Sequence, residues 1–298
     1  MRYVSKTVLK GIYKKRKPWA HKGQFGKLVV ISGSRIYTGS PVFVGMAAYR
    51  AGCDMVYLTG PQRAMDVAAN YSPALITKPL EGDYLEGKHV DKILTFIENS
   101  RATAVVIGPG LWRIDKTRKA INTLVEKIRI PMVIDADAIR AVSAIKGELK
   151  DKKILLTPHR NELFELTGVD VTENIKNRIN ILRNEAYKLN CGKDNRCPLY
   201  PPITLVLKGN VDVISNGKEV VLNDTGMPKM TVGGMGDCLT GIAGALLARG
   251  INTFTAGCAA TYVNGKAGEY AIKQYGESTI TTDLIDTIYK VLNEIIKY

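Results

Sequence analysis

Short runs of almost purely apolar residues, each separated from the next by a longer stretch of mostly helical periodicity, constrain this chain more than any other feature. They occupy residues 28–31, 55–58, 104–107, 132–134, 154–156 and 204–207. A strand that is polar at alternate positions can face water on one side, whereas one that is apolar throughout has to be covered on both faces. Such strands, alternating with helical segments near 42–51, 91–98, 115–128, 137–145 and 161–166, predict an α/β fold with a mostly parallel central sheet and helices on both faces, a three-layer αβα sandwich. Residues 211–214 and 219–222 flank Asn216 and Gly217, whose tolerance of positive backbone angles favours a tight hairpin, so an antiparallel edge is expected. The last third reads as helix over 236–248, 253–274 and 282–297, and the Gly, Asp, Asn and Pro residues of 190–202 mark the least ordered stretch. With no break in composition, residues 22–298 are expected to form one domain behind a basic arm, residues 1–21.

Composition narrows the classes of function. No run approaches the roughly 18 consecutive apolar residues of a membrane helix, and the basic N-terminus has no apolar leader core, so a cytoplasmic protein with no membrane partner is expected. The five cysteines lack C-x-x-C spacing, which argues against a zinc site or a disulfide framework. Cys191 and Cys197 are close enough in sequence to pair or to stand as two free thiols. A net charge of +14 calls for acidic partners. Lys14, Lys15, Arg16 and Lys17 beside Trp19 offer charge and stacking to a nucleic acid, but no RNA- or DNA-binding motif accompanies them, which argues against nucleic acid as the main partner.

In open α/β sheets ligands bind beyond the carboxyl ends of the strands. After Ile31 come Ser32, Gly33 and Ser34, and the same loop ends in Gly39, Ser40 and Pro41, where Ser40 can cap a helix and Pro41 suits its first turn. After Ile107 stand Gly108, Pro109 and Gly110; after Ile134, Asp135, Ala136 and Asp137; after Leu156, Thr157, Pro158 and His159, with Glu162 beyond. The strongest signal is Gly233, Gly234, Met235, Gly236 and Asp237 at the start of a helix. Glycines let backbone amides converge, the helix adds the positive end of its dipole, and the acid stands at the same end. Such amides can stabilise a transferring phosphoryl group while Asp237 takes a proton from the attacking hydroxyl.

Taken in chain order, Lys22 to Lys27 with Ser32, Gly33 and Ser34, then Gly39 to Pro41, Gly108 to Leu111, Asp135 to Ala138, Leu156 to His159 with Glu162, Leu207 to Gly209, and Gly233 to Gly241, resemble the NAD(P)H-hydrate dehydratase family of the ribokinase-like superfamily. The resemblance implies an ADP- or ATP-dependent repair enzyme acting on the (S)-hydrate of NADH or NADPH. It implies Asp237 as general base, with Gly234 and Gly236 amides around the transferred group. Ser40, Gly108, Gly110, His159 and Asp237 would touch the hydrate, and Lys208, Gly209, Asn210, Val211, Asp212 and Gly236 the adenine nucleotide. Mg²⁺ is implied as cofactor without a protein cage of its own, as are a homo-oligomer, often a tetramer, and a separate epimerase in the same pathway.

The chain departs from the family pattern at Met235, where a small polar residue is usual, at Ser40, where Ala is usual, and at Trp112, where Gly often follows the motif; residues 191–202 read as an insertion. Two other readings stand beside the dehydratase. A small-molecule kinase of the same superfamily, acting on a thiazole or pyrimidine alcohol, would keep Asp237 and the glycines. A nucleotide- or nucleic-acid-binding protein without turnover would need neither.

Overall fold

The computed structural model describes residues 1–191, 197–199 and 202–296. Its strands are β1 (Lys27–Ile31), β2 (Met55–Pro61), β3 (Ile76–Leu80), β4 (Ala104–Ile107), β5 (Met132–Ile134), β6 (Ile154–Leu156), β7 (Ile203–Leu207), β8 (Asp212–Ser215) and β9 (Val220–Asn223). They form one sheet in the order β3-β2-β1-β4-β5-β6-β7-β8-β9. Strands β1 to β7 are parallel, and β8 and β9 close the far side antiparallel. The helices are α1 (Thr7–Lys10), α2 (Ser40–Arg50), α3 (Gln62–Tyr71), α4 (Val90–Asn99), α5 (Asp115–Lys127), α6 (Asp137–Val142), α7 (Arg160–Thr167), α8 (Ile175–Cys191), α9 (Met235–Ala248), α10 (Thr253–Tyr275) and α11 (Thr281–Asn293). None among the described residues is long and apolar enough to cross a membrane.

Because successive strand residues point to opposite faces, each apolar run feeds two cores. Leu28, Val30, Val106, Val133, Leu155 and Val206 pack with α2, α9, α10 and α11, whereas Val29, Ile31, Val105, Ile107, Ile134 and Leu156 pack under α4 to α8. This is the three-layer sandwich expected from the runs. Besides the short helix α1, three elements lie outside the sequence reading. Strand β3 is an edge strand with Lys78 and Pro79 in it and little burial, so it lacks the apolar signature. Helix α3 buries only Ala64, Met65 and Ala68, and α8 is largely polar, so neither stands out as an apolar stripe. The final helix ends at Asn293 rather than at 297, which lies outside the described residues. Most of the 190–202 stretch also lies outside them, although Cys191 and Cys197 are joined in a disulfide.

Before Lys22 the chain is bound to the domain. Leu9 is fully buried with Ile12 and Tyr13 in the first core, and the Tyr13 hydroxyl donates to the Ala51 carbonyl at 3.0 Å. Arg16 stacks on Phe25 and pairs with Asp54 at 2.8 Å. Further up, the Val4 amide donates to the Leu222 carbonyl (2.8 Å) and the Leu222 amide to the Arg2 carbonyl (2.9 Å), so the outer side of β9 is covered.

Helix α9 is buried along nearly its whole length and carries glycines where it touches its neighbours. A methyl added at Gly241 would lie 2.2 Å from the Val44 carbonyl oxygen of α2, and one at Gly244 would lie 2.6 Å from Val106 of β4. These close approaches fix the height of α9 over the sheet, and with it the position of Asp237. Alanine at an ordinary helical position would add about 1 kcal/mol of helix propensity. At Gly241 we expect the reverse, a net loss of about 1–3 kcal/mol in urea unfolding of Gly241→Ala. A stability equal to or above that of the parent would mean that α2 and α9 separate freely.

Candidate active site

The carboxyl ends of β5, β6 and β7 meet the start of α9 through one cluster of charge. The Lys208 ammonium, just past β7, donates to Asp135 Oδ1 at 2.9 Å and lies 3.5 Å from Glu162 Oε2. The Thr240 hydroxyl of α9 donates to the other Asp135 oxygen at 2.7 Å. Glu162 in turn accepts from the His159 amide at 2.8 Å, while its own amide donates to His159 Nδ1, a reciprocal cap on α7. Burial pulls the Lys208 pKa down, but Asp135, Glu162 and Asp237 more than offset it, so the ammonium is held above its ordinary range. The Glu162 carboxyl is raised by burial, against the pull of Lys208.

Asp237 stands in the first turn of α9, after Gly234, which adopts φ +95° as the residue before the helix. A side chain at Gly234 would also collide with Phe43 and Thr281, and the Thr281 hydroxyl holds the loop by donating to the Gly233 carbonyl at 2.6 Å. The Met235 amide is spent on the Val232 carbonyl (3.3 Å), whereas those of Gly236 and Asp237 have no acceptor among the described residues. The fan of amides expected from the glycines is therefore narrower by one. Burial raises the Asp237 carboxyl to about 7, with an opposing hydrogen bond from Ser40 and a further upward push from Asp135.

The predicted residues divide into two groups on either side of Asp237. On one side a cavity of about 510 Å³ is lined by His159, Lys208, Gly209, Asn210, Asp212 and Gly236 together with Thr225, Gly226, Met230, Leu239, Thr261 and Asn264. Asp212 holds the loop by accepting from the Gly209 amide (3.0 Å) and from Asn223 (3.1 Å), and burial raises its carboxyl to about 6. Val211 does not line the cavity but packs against the second core. His159, expected among the hydrate contacts, lines this cavity beside the predicted nucleotide residues and caps α7.

On the other side are Ser40, Gly110 and Gly108. Ser40 does not cap α2 as expected; Gly39 precedes the helix without a side-chain cap, and the Ser40 hydroxyl turns to Asp237. A methyl at Gly110 would lie 2.8 Å from Tyr37 and 2.9 Å from the Ser40 hydroxyl, while one at Gly108 would lie 1.8 Å from the Asp135 carbonyl oxygen. Gly110 thus lets the loop lie close against Tyr37 and Ser40, and Gly108 permits the loops to close. The Ser32 hydroxyl and Gly33 amide both donate to the Pro109 carbonyl (2.7 and 3.0 Å), joining the first loop to the second. Trp112 has φ +73°, a region that glycine occupies without strain, and is held there by its amide's bond to Asp137 (2.9 Å). Its ring lies 5.6 Å from that of Tyr37, an aromatic wall that motif reading did not find. Nor did it assign roles to Thr240, Asp135 or Glu162, although the last two stood in the motifs that drew attention.

Among the described residues no group of three or more His, Cys, Asp or Glu is placed to hold a metal. Asp135 is engaged by Lys208 and Thr240, and Asp137 by Trp112 and Arg113. A site without a protein cage of this kind fits Mg²⁺, which keeps most of its water and binds chiefly through the phosphates of a nucleotide.

A family model described as NAD(P)H-hydrate dehydratase matches residues 28–290. The chain is 37% identical over 279 residues to a bifunctional NAD(P)H-hydrate repair enzyme of Pyrobaculum aerophilum, covering 93% of this chain and 52% of that protein. It thus spans about half the length of the bifunctional relatives it matches. It is 35% identical to the ADP-dependent (S)-NAD(P)H-hydrate dehydratase of Cenarchaeum symbiosum, covering 92% and 90% of the two chains. The crystal structure of the ADP/ATP-dependent NAD(P)H-hydrate dehydratase of Bacillus subtilis, co-crystallised with ATP and Mg²⁺, superimposes with a TM-score of 0.78 over 99% of both chains at 22% identity, which shows the ribokinase-like fold.

Replacing one member of a buried ion cluster leaves the others uncompensated. Lys208→Met is expected to lower stability by about 3–5 kcal/mol near neutral pH. The loss should shrink as pH falls, because the Glu162 carboxyl, raised by burial, can then take up a proton; urea titrations at two pH values check this, and a pH-independent loss below 1 kcal/mol would speak against the cluster.

Proposed function

Because the chain belongs to the NAD(P)H-hydrate dehydratase family, we propose that it is a lyase that restores NADH or NADPH from the (S)-hydrate, using ADP or ATP as phosphoryl donor. The observation that carries the reading is Asp237, a half-buried carboxyl near pKa 7 that follows Gly236 of the nucleotide-sized cavity, faces Ser40 and stands beside two helix-start amides with no acceptor among the described residues.

In this reading the adenine nucleotide lies along the Lys208 to Asp212 loop and the hydrate against Ser40, Gly110, Tyr37 and Trp112. Asp237 accepts the proton of the ring hydroxyl as its oxygen attacks the terminal phosphorus, and the bond from phosphorus to the departing AMP or ADP breaks. The Gly236 and Asp237 amides stabilise charge on the moving phosphoryl oxygens. The ring nitrogen then supplies its electron pair, the carbon–oxygen bond breaks to release phosphate, and loss of the neighbouring ring proton restores the dihydronicotinamide. Mg²⁺, when bound, supplies neutralising charge to the phosphates. His159 and Glu162 act here by fixing Lys208 and the α7 start. A damaged dinucleotide is a cytoplasmic solute, and the reading keeps the chain there, working in series with an epimerase and as a homo-oligomer.

Incubating NADH hydrate with the protein, Mg²⁺ and either nucleotide should raise dihydronicotinamide absorbance with stoichiometric phosphate release. A stable phosphorylated product with no absorbance rise would point to a small-molecule kinase instead. Asp237→Asn should still bind nucleotide while turnover falls by at least about 10²-fold; near-normal turnover would remove Asp237 from the mechanism.

A base is active when deprotonated, so kcat/KM should rise with pH and level off above about 7. Ser40→Ala removes the hydrogen bond that lowers the Asp237 pKa, so this acidic limb should move to higher pH. The raised carboxyl also opposes folding. Its stability deficit is absent below the unfolded pKa and grows as pH rises toward about 7, so Asp237→Asn should gain thermal stability relative to the parent at pH 8 and not at pH 4.

A further inference from the structure

Asn264 lines the same cavity as Lys208, Gly209 and Gly236, and it is 9% exposed. Its carboxamide oxygen is buried without a hydrogen-bond donor, and the side chain makes no hydrogen bond to any described residue. Two other buried amides in this half of the molecule, Asn190 and Asn223, are hydrogen-bonded through both the oxygen and the nitrogen. Asn190 donates to the carbonyls of Ala186, Ile203 and Asn216, and Asn223 donates to Asp212 and to the Thr261 carbonyl. A buried amide left open costs roughly 1–3 kcal/mol, a cost that a ligand can remove.

The surroundings say which ligand chemistry fits. A methyl at Gly265 would lie 2.2 Å from the Thr225 hydroxyl, and the Gly226 amide donates to Glu269 at 3.0 Å, so the 225–226 turn is fastened against α10 beside Asn264. Met227, Pro228, Met230 and Leu239 give the cavity apolar walls. A slot with apolar walls and one buried, unpaired carboxamide suits a flat heterocycle presenting a donor next to an acceptor. Adenine does so along the edge that carries its amino group and N7, and asparagine pairs with that edge through both amide atoms.

Resting on the phosphoryl-transfer reading above, we infer that Asn264 recognises the adenine base of the nucleotide and selects it against 6-oxopurines. Hypoxanthine and guanine present two acceptors along the same edge, so one amide atom would face a like partner whichever way the side chain is turned.

Calorimetric titration of the full chain with ADP and with IDP, in the presence of Mg²⁺, tests this. The parent should bind ADP roughly 5- to 150-fold more tightly than IDP. Asn264→Leu, similar in volume but without polar atoms, should bring the two affinities within about threefold of each other by weakening ADP. Asn264→Ala provides the same comparison if the leucine variant does not fold. Equal binding of ADP and IDP by the parent, or a preference that survives in the variants, would overturn the assignment while leaving the phosphoryl-transfer reading intact. Failure of the parent to bind ADP or ATP at all would overturn that reading, and this inference with it.

Discussion

The half-buried ammonium of Lys208 is the contact on which the candidate site depends. It follows β7, its partner Asp135 follows β5, Glu162 sits on the helix after β6, and Thr240 on α9 binds the same Asp135 carboxylate. Three neighbouring strand ends and the helix that carries Asp237 are thus joined at one point. Buried ion pairs seldom add net stability over an apolar core. Here the charge cluster also couples electrically to Asp237, whose pKa is raised by Asp135 and lowered by Lys208. Structure and proton affinity at the site therefore have a common source.

The second determinant is steric. Helix α9 reaches its place because glycine stands where it meets Val44 and Val106, and the loop before it turns because Gly234 tolerates φ +95°. Burial of Asp237 follows from that packing, and its elevated pKa follows from burial. A carboxyl in the same sequence on an exposed helix would be ionised at neutral pH and a poor proton acceptor.

Much of this was legible in the residues. Runs apolar on both faces specified the parallel strands to within a few positions, and the Asn-Gly turn specified the antiparallel border. Strand β3 was not legible, because an edge strand containing Lys78 and Pro79 has no need of apolar residues. At the site, glycines next to an acid marked Asp237 because that chemistry is local in sequence. The bond from Lys208 to Asp135 crosses 73 residues and exists only because the strand order brings β5, β6 and β7 side by side. His159 was read by its position after a strand, whereas its orientation is set by capping α7. The tilted contact of Tyr37 with Trp112 and the open amide of Asn264 are likewise products of tertiary packing, with no signature in spacing.

The covered margin of β9 bears on how this molecule meets its own copies. Unpaired strand margins are templates on which further chains can add. Here the segment from Arg2 to Val4 occupies the hydrogen-bonding groups of Leu222 on one margin, and Pro79, which has no amide hydrogen, interrupts the other. Neither margin offers a continuous ladder. A further copy of this chain therefore finds no unbroken ladder to extend at either margin.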